Sequence, residues 1–427
     1  MHIRFVQYIL VFILFSNVAC AQKFSTHFID ETLRIDYLWV GNQSQQDIVV
    51  DEISRFPHWA GRQINLSSFP LAGDGEVMMY DNESQKCIYK STFSSLFHEW
   101  LETPEAKNNK QGFEHTLLLP FPKKEVNIQV KLFDVNREGR AEITHKINPT
   151  DILIRKKKNS PNPYKYIIKN GDSHQCIDIA ILAEGYTAKE QQLFYQDAKK
   201  ASESIFNHEP FRALKHHFNV VAVHSISQES GVSIPNQSLW KETAFLSHFD
   251  TFYSKRYLTT SRVKAIHNAL SGVPYEHIII LANTKQYGGG GIFNSFTLTN
   301  TQHPSFAPVV VHEFGHSFAG LADEYFYEDE TLDYPLTIEP WEQNVTTLVN
   351  FESKWQDLLT PNTPIPTPID EKENYPVGVY EGARYMTQKM YRPAYNCRMR
   401  TNAASDFCPV CQRAIQQLIT FYTQEKP

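Results

Sequence analysis

The hydrophobic pattern of this chain changes its period once, near residue 156, and that change restricts it to a two-part fold. From about residue 23 to 155 apolar residues recur in short alternating runs. These are Leu33 to Val40, Asp47 to Ile53, Gly75 to Tyr80, Cys87 to Thr92, His115 to Leu119 and Val126 to Phe133. Polar turns separate them. Alternation turns one face of each strand to a core and the other to water, which predicts an all-β sandwich of Ig-like type. Ser94 to Glu102 reads either as a short helix or as an irregular edge. Titratable residues form no catalytic pattern here, so a structural or adhesive role is expected.

Lys156 to Pro163 reads as a linker. Beyond it, Ile177 to Ala183 is an apolar run suited to a buried strand. Thr187 and Glu190 form a capping box, which predicts a helix through Phe206. Strands are expected at His217 to His224 and Glu276 to Ala282, with a helix around Ser261 to Leu270 between them. Strands alternating with helices predict an α/β sheet. The expected domains are therefore 22–155 and 165–427, joined by 156–164, and 427 residues suffice for both. Thr360 to Pro376 carries five prolines and reads as a long loop, a specificity element beside a cleft or a surface insert.

The first 21 residues read as a targeting segment: Arg4, an apolar run from Tyr8 to Phe15, then Ala19-Cys20-Ala21. Ala19 and Ala21 suit signal-peptidase cleavage before Gln22; Cys20 offers a second reading, lipidation and a membrane tether. Either route exports the protein, as secreted, periplasmic or surface lipoprotein. Net charge is −6 and the one dense basic run is Arg155 to Lys158, which argues against a nucleic-acid partner.

His312-Glu313-Phe314-Gly315-His316 carries the chemistry. Histidines four apart fall on one helix face and reach a single metal ion; a helix over about 307–319 is predicted. Glu313, one position round, reaches water on that metal without being a ligand. Two imidazoles, an open coordination position and a carboxylate base are what a zinc hydrolase needs. Gly320 permits a chain reversal that returns Asp323 as a third ligand, with a spacing of HExxHxxxGxxD. Glu324, Glu328, Glu330 and Glu339 are the alternatives. Gly288 to Gly291 lacks the Lys-Ser/Thr pair of a phosphate loop. It reads as a turn entering an edge strand over Ile292 to Thr299, or as a mobile surface loop.

The stretch from Val310 to Tyr325 resembles the signature of the bacterial IgA-peptidase family of zincins. Ile181 to Thr187, Glu229 to Val232 with Pro235, Tyr391-Arg392-Pro393, Cys397-Arg398-Met399 and Phe407 to Cys411 resemble further blocks of it. The β-rich front resembles, in layout, the N-terminal domain of gut Bacteroidetes members. The resemblance implies a zincin-like catalytic domain and peptide-bond hydrolysis. It also implies one catalytic zinc on His312, His316 and Asp323, with Glu313 as general base. The family is named for members that cleave immunoglobulin A.

Met399 is the candidate for a methionine turn beneath the metal, with Met386 and Met390 as competitors. Tyr391 and Tyr395 are candidate donors to the oxyanion. Five cysteines lie outside the targeting segment, and a disulfide from Cys397 to Cys408 or Cys411 is expected. The reading that results is an exported zinc endopeptidase acting on an extracellular polypeptide such as a host or dietary glycoprotein. The rivals are a catalytically idle zincin-domain protein that binds through its β-sandwich, and a zinc amidase acting on peptidoglycan peptides.

Overall fold

A computed structural model describes residues 23–327 and 334–424. The targeting segment with Cys20, and the candidate ligands Glu328 and Glu330, lie outside the described residues.

After one helical turn, α1 (Phe24–His27), the chain enters β1 (Phe28–Gly41), β2 (Gln46–Pro57), β3 (Gly75–Asp81) and β4 (Cys87–Phe93). Helix α2 (Leu96–Leu101) follows, then β5 (Gln111–Pro122), β6 (Val126–Phe133), β7 (Gly139–Ile147) and the short β8 (Arg155–Lys156). They form two four-stranded sheets, ordered β5-β1-β2-β8 and β4-β3-β6-β7. Burial alternates strictly along β6, with Val126, Ile128, Val130 and Leu132 inside. That period of two makes these strands legible. β7 escapes sequence reading because its buried face is thin: only Ile147 is fully buried. Ser94 to Glu102 resolves as a helix, capped where Ser95 Oγ accepts the His98 N–H at 3.3 Å.

The second part holds β9 (Tyr164–Ile168), β10 (Ile177–Glu184), α3 (Gln191–Phe206), β11 (Phe218–Val223), α4 (Val263–Ala269) and β12 (His277–Ala282). Then come β13 (Gly289–Ile292), β14 (Phe296–Asn300), α5 (Phe306–Ala319), the hairpin β15 (Tyr380–Ala383) and β16 (Met386–Arg392), and α6 (Pro409–Thr423). One six-stranded sheet runs β13-β14-β12-β10-β11-β9. Its four central strands are parallel, and β13 and β9 are antiparallel at the edges. The single strand expected over Ile292 to Thr299 is two: the glycines themselves form β13, and Phe293-Asn294-Ser295 turns into β14.

Every residue of β10, β11, β12 and β14 is buried, as a parallel sheet covered on both faces requires. The two faces meet different partners. Ile177, Ile179, Ile181 and Ala183 pack with α3, α5 and α6. Ala180 and Leu182 join a core that continues into the N-terminal sheets, through Trp39, Phe93 and Leu119. The N-terminal part thus covers the sheet face opposite α3, α5 and α6. Polar contacts fix the seam. Buried Arg34 donates to Asn268 Oδ1 at 2.7 Å, and Glu114 accepts the Lys264 N–H at 2.9 Å in the first turn of α4. Ser94 N–H donates to Phe293 O at 2.9 Å, and Asn294 Nδ2 to Thr92 O at 2.7 Å.

Lys156 to Pro163 is tied down rather than loose. Lys157 N–H donates to Arg55 O at 3.1 Å and Ser160 N–H to Ser271 O at 2.7 Å. Glu52 pairs with Lys157 at 2.6 Å and Arg155 at 3.5 Å. The capping box forms as expected, with the Thr187 N–H on Glu190 Oε2 at 2.8 Å.

Candidate metal centre and cleft

Helix α5 holds three consecutive valines and a central glycine, a poor helix sequence by propensity. Packing maintains it: Val310, Val311, Phe314 and Phe318 are fully buried against the sheet and α3. Gly315 has a packing reason. A Cβ there would stand 2.7 Å from Met399 Sδ, so Met399 lies directly beneath the span between the two histidines. Met390 belongs to a separate small apolar cluster.

The helix ends on Gly320, whose φ of +58° is left-handed, and Leu321 N–H closes the turn on Gly315 O at 3.3 Å. That reversal brings Asp323 back to the histidines. His312 Nε2 lies 3.0 Å and His316 Nε2 3.2 Å from Asp323 Oδ1, and the two Nε2 atoms are 3.1 Å apart. The other imidazole nitrogens face carbonyls: His312 Nδ1 is 3.0 Å from Arg398 O, and His316 Nδ1 is 2.5 Å from Leu321 O. Each Nδ1 therefore carries the proton in a neutral ring and leaves the Nε2 lone pair pointing inward. Asp323 Oδ2 accepts from Tyr385 Oη at 2.7 Å, while Oδ1 has no hydrogen-bond donor among the described residues.

Three lone-pair donors thus converge on one point, and only a positive charge reconciles them. Burial opposes charging His316, yet Asp323 drives its imidazole up to about 9. Burial likewise opposes ionising Asp323, yet the histidines hold its carboxyl far below the usual range. A triangle with these sides has its centre about 1.8 Å from each corner, just inside the about 2.0–2.1 Å bond of zinc to imidazole. The residues fit a divalent metal of that size. Of the alternatives to Asp323, Glu324 faces the other way, and Glu339 accepts from Thr347 Oγ1 and the Asn350 N–H at 3.1 Å each.

Glu313 lines the cleft beside this centre, its carboxylate against β13. Burial pushes its carboxyl above the ordinary range, against the pull of both histidines. A Cβ at Gly289 would stand 2.9 Å from Glu313 Oε1, and one at Gly291 2.2 Å from Glu313 O. Only glycines let this edge strand pass so near the helix.

The cleft measures about 760 Å³. Beyond the metal centre and β13 it is lined by Tyr257, Tyr325, Tyr327, Tyr385 and Trp341, with Arg256, Arg384 and Arg400. Asp74, Glu99 and Glu102 line it from the N-terminal part, where the sequence shows no catalytic pattern. Half-buried Glu99, bonded to Tyr257 Oη, is pushed up to about 8 by desolvation. None of residues 360–376 lines the cleft.

The tyrosines are redistributed relative to the sequence reading. Tyr391 sits in β16, bonded through its backbone to Thr346 and packed on the apolar core, and does not reach the cleft. Tyr395 lies between Lys372 and Arg400, 4.2 and 4.7 Å from its ring. Tyr385 takes the position beside the metal centre, with Tyr325 Oη 3.0 Å from its hydroxyl. It occupies the tip of the β15–β16 hairpin, where Arg384 and Tyr385 both have positive φ, 51° and 62°. Ala383 pairs with Met386, so Arg384 and Tyr385 form a two-residue hairpin loop, whose turn takes positive φ at both positions. No sequence signal distinguishes Tyr385 from its neighbours.

The expected disulfide is not formed. Cys87, Cys176, Cys397, Cys408 and Cys411 all stand outside any disulfide. Cys397 and Cys411 sulfurs are 3.7 Å apart, well beyond the about 2.05 Å of a bridge. The side chain of Glu324 comes in among them, with Cys411 Sγ 3.1 Å from its Oε1.

Two family models match this chain. Peptidase M64 N-terminus matches residues 23–144, and IgA Peptidase M64 matches residues 166–376 and 369–419. No curated protein matches it. The second match covers more than half of the chain and contains the histidine helix, the returning Asp323 and the three C-terminal cysteines. On that ground the chain belongs to the IgA Peptidase M64 family, and its activity is that of a peptidase on polypeptide substrates.

Proposed function

We propose that this chain is an exported zinc endopeptidase, an Ig-like β-sandwich joined to a zincin-like catalytic domain. The observation that carries the reading is the convergence of His312, His316 and Asp323 at the floor of an open cleft, beside the carboxylate of Glu313. His312, His316 and Asp323 would hold a zinc ion, which would supply Lewis acidity toward the scissile carbonyl and water. Glu313 takes the proton of the attacking water and passes it to the departing amine. Its raised affinity for protons suits that double duty. Tyr385 holds Asp323 in place through its 2.7 Å hydrogen bond. β13 offers an extended substrate an edge to pair with, and its glycines keep that edge near Glu313.

The substrate is an extracellular polypeptide. Export follows from the first 21 residues, with cleavage before Gln22 or lipidation of Cys20. Mass spectrometry of the mature N-terminus is expected to find one of those two ends; an intact Met1 overturns export.

The decisive comparison is wild type against Glu313→Gln on a denatured-protein library, with zinc measured in both. The variant is expected to keep its zinc and cleave about 10³-fold more slowly. Equal cleavage by the two removes Glu313 as the base. A zinc-loaded wild type that cleaves no polypeptide but opens peptidoglycan peptides makes it an amidase.

A further inference from the structure

We propose that Glu324, Cys397, Cys408 and Cys411 bind a second metal ion, a buried structural zinc directly behind the catalytic centre. All four residues are sealed from solvent, at 0, 0, 4 and 0 % exposure. Each offers a ligand atom, and these atoms all lie within 4.8 Å of one another. Cys397 and Cys411 sulfurs are 3.7 Å apart. Two thiolates on one tetrahedral zinc, each bonded at about 2.3 Å, stand about 3.8 Å apart. A disulfide requires far less separation, and a polynuclear iron–sulfur cluster requires room for several irons between its thiolates. The spacing suits a single ion, and three sulfurs with one carboxylate suit zinc.

The surroundings aim hydrogen-bond donors and a helix N-terminus at the sulfurs. Cys397 Sγ accepts two backbone N–H groups, from Cys408 at 3.3 Å and Met399 at 3.5 Å. Cys408 is the N-cap of α6 and Cys411 lies in its first turn, where unpaired N–H groups and the helix dipole favour negative sulfur. The carboxylate points the same way. Glu324 is fully buried, Asn344 Nδ2 donates to its Oε1 at 3.0 Å, and Oε2 has no hydrogen-bond partner among the described residues. A buried carboxylate with an unsatisfied oxygen is costly unless a proton or a cation meets it, and burial raises the proton affinity of Glu324 when no cation is there. Buried Arg392 and Arg398 supply positive charge nearby, offsetting the net negative charge of three thiolates and a carboxylate on a divalent ion.

The position explains what such an ion does. Glu324 follows the catalytic ligand Asp323, and its N–H donates to Met399 O at 2.9 Å. Arg398, between Cys397 and Met399, provides the carbonyl that orients His312. An ion tying residue 324 to residue 397 and to α6 fixes the backbone that positions one histidine, the aspartate and the underlying methionine. The binding itself does not depend on the peptidase mechanism.

The test is metal stoichiometry in the full-length mature chain, purified without chelator and reconstituted with zinc. Wild type is expected to hold two ions per chain, His312→Ala/His316→Ala one, and Cys408→Ser/Cys411→Ser one with a lowered melting temperature. Cobalt in the double-histidine variant is expected to show sulfur-to-cobalt charge transfer and intense tetrahedral bands. That readout stands even if the cysteine variant fails to fold. A double-histidine variant that folds by circular dichroism but takes up no zinc or cobalt overturns the proposal. So does a cobalt spectrum without sulfur ligation, or a native disulfide among the three cysteines in peptide mapping.

Discussion

Asp323 and Glu324 are adjacent carboxylates that serve two different donor sets. Asp323 turns to His312 and His316 at the floor of the cleft, where all three side chains keep 12–16 % of their surface open. Glu324 turns inward to three cysteines that solvent does not reach. The first set leaves a side free for a substrate; the second surrounds its centre. On the proposed reading the difference is the one between catalytic and structural metal sites, three protein ligands with an open position against four with none. What separates them is a single peptide unit after the Gly320 reversal, so the two centres share one stretch of backbone.

The largest effect tests that division directly. Asp323→Ala is expected to lose the catalytic zinc and roughly 10⁴-fold of cleavage while retaining the buried ion. Glu324→Ala is expected to do the reverse, keeping the catalytic zinc but lowering the melting temperature by roughly 5–10 °C. Zinc counts, cleavage rates and melting curves of the pair would break the comparison if the two variants behaved alike.

Tyr385→Phe probes the open centre alone. Loss of its hydrogen bond to Asp323 is expected to weaken zinc affinity or cleavage about 10–100-fold, with melting unchanged. Tyr391→Phe serves as the control, and an equal loss there would return the role to Tyr391. Gly291→Ala acts on the wall of the cleft. Its Cβ would meet Glu313 O at 2.2 Å, so a destabilisation of about 1–3 kcal/mol is expected, read by denaturant unfolding.

The smallest effect at neutral pH concerns the frame both centres share. His277 lies between α5 and α6, its ring 4.7 Å from Phe318 and 5.6 Å from Tyr422. Burial lowers it from its ordinary 6.5 to about 3, so the folded state keeps it neutral while the unfolded chain charges it. The unfolded chain then binds more protons between those values, and stability falls as pH drops through that window. By pH 5 the loss should be about 2 kcal/mol relative to pH 7, and His277→Phe should flatten it in a urea series. An unchanged pH slope in the variant assigns the acid sensitivity to other groups.

Several of these features are legible in the residue pattern alone. The alternation in β1 to β6, the buried runs of β10 and β12 and the capping box at Thr187 are local patterns, set by residues a few positions apart. The histidine pair is local too, since four residues of helix fix its face. β7 escapes notice because its apolar signal is weak, and β13 because a glycine run carries no side-chain period. Tyr385 escapes because its role depends on a hairpin tip that meets Asp323 from sixty-odd residues away in the chain. The cysteines mislead for a similar reason. Proximity in sequence suggests a bridge, but the partner that decides their chemistry, Glu324, is far upstream.

By itself the sequence determined the two hydrophobic periods, the helix that presents His312 and His316 and the glycine that turns the chain toward Asp323. These follow from short-range backbone geometry. Only the tertiary structure decided which neighbouring carboxylate faces which donor set. It also decided which tyrosine reaches the aspartate, and that the N-terminal sheets cover one face of the second domain and lend acids to its cleft. Those choices rest on contacts between segments tens to hundreds of residues apart, where packing sets position and no local pattern records it.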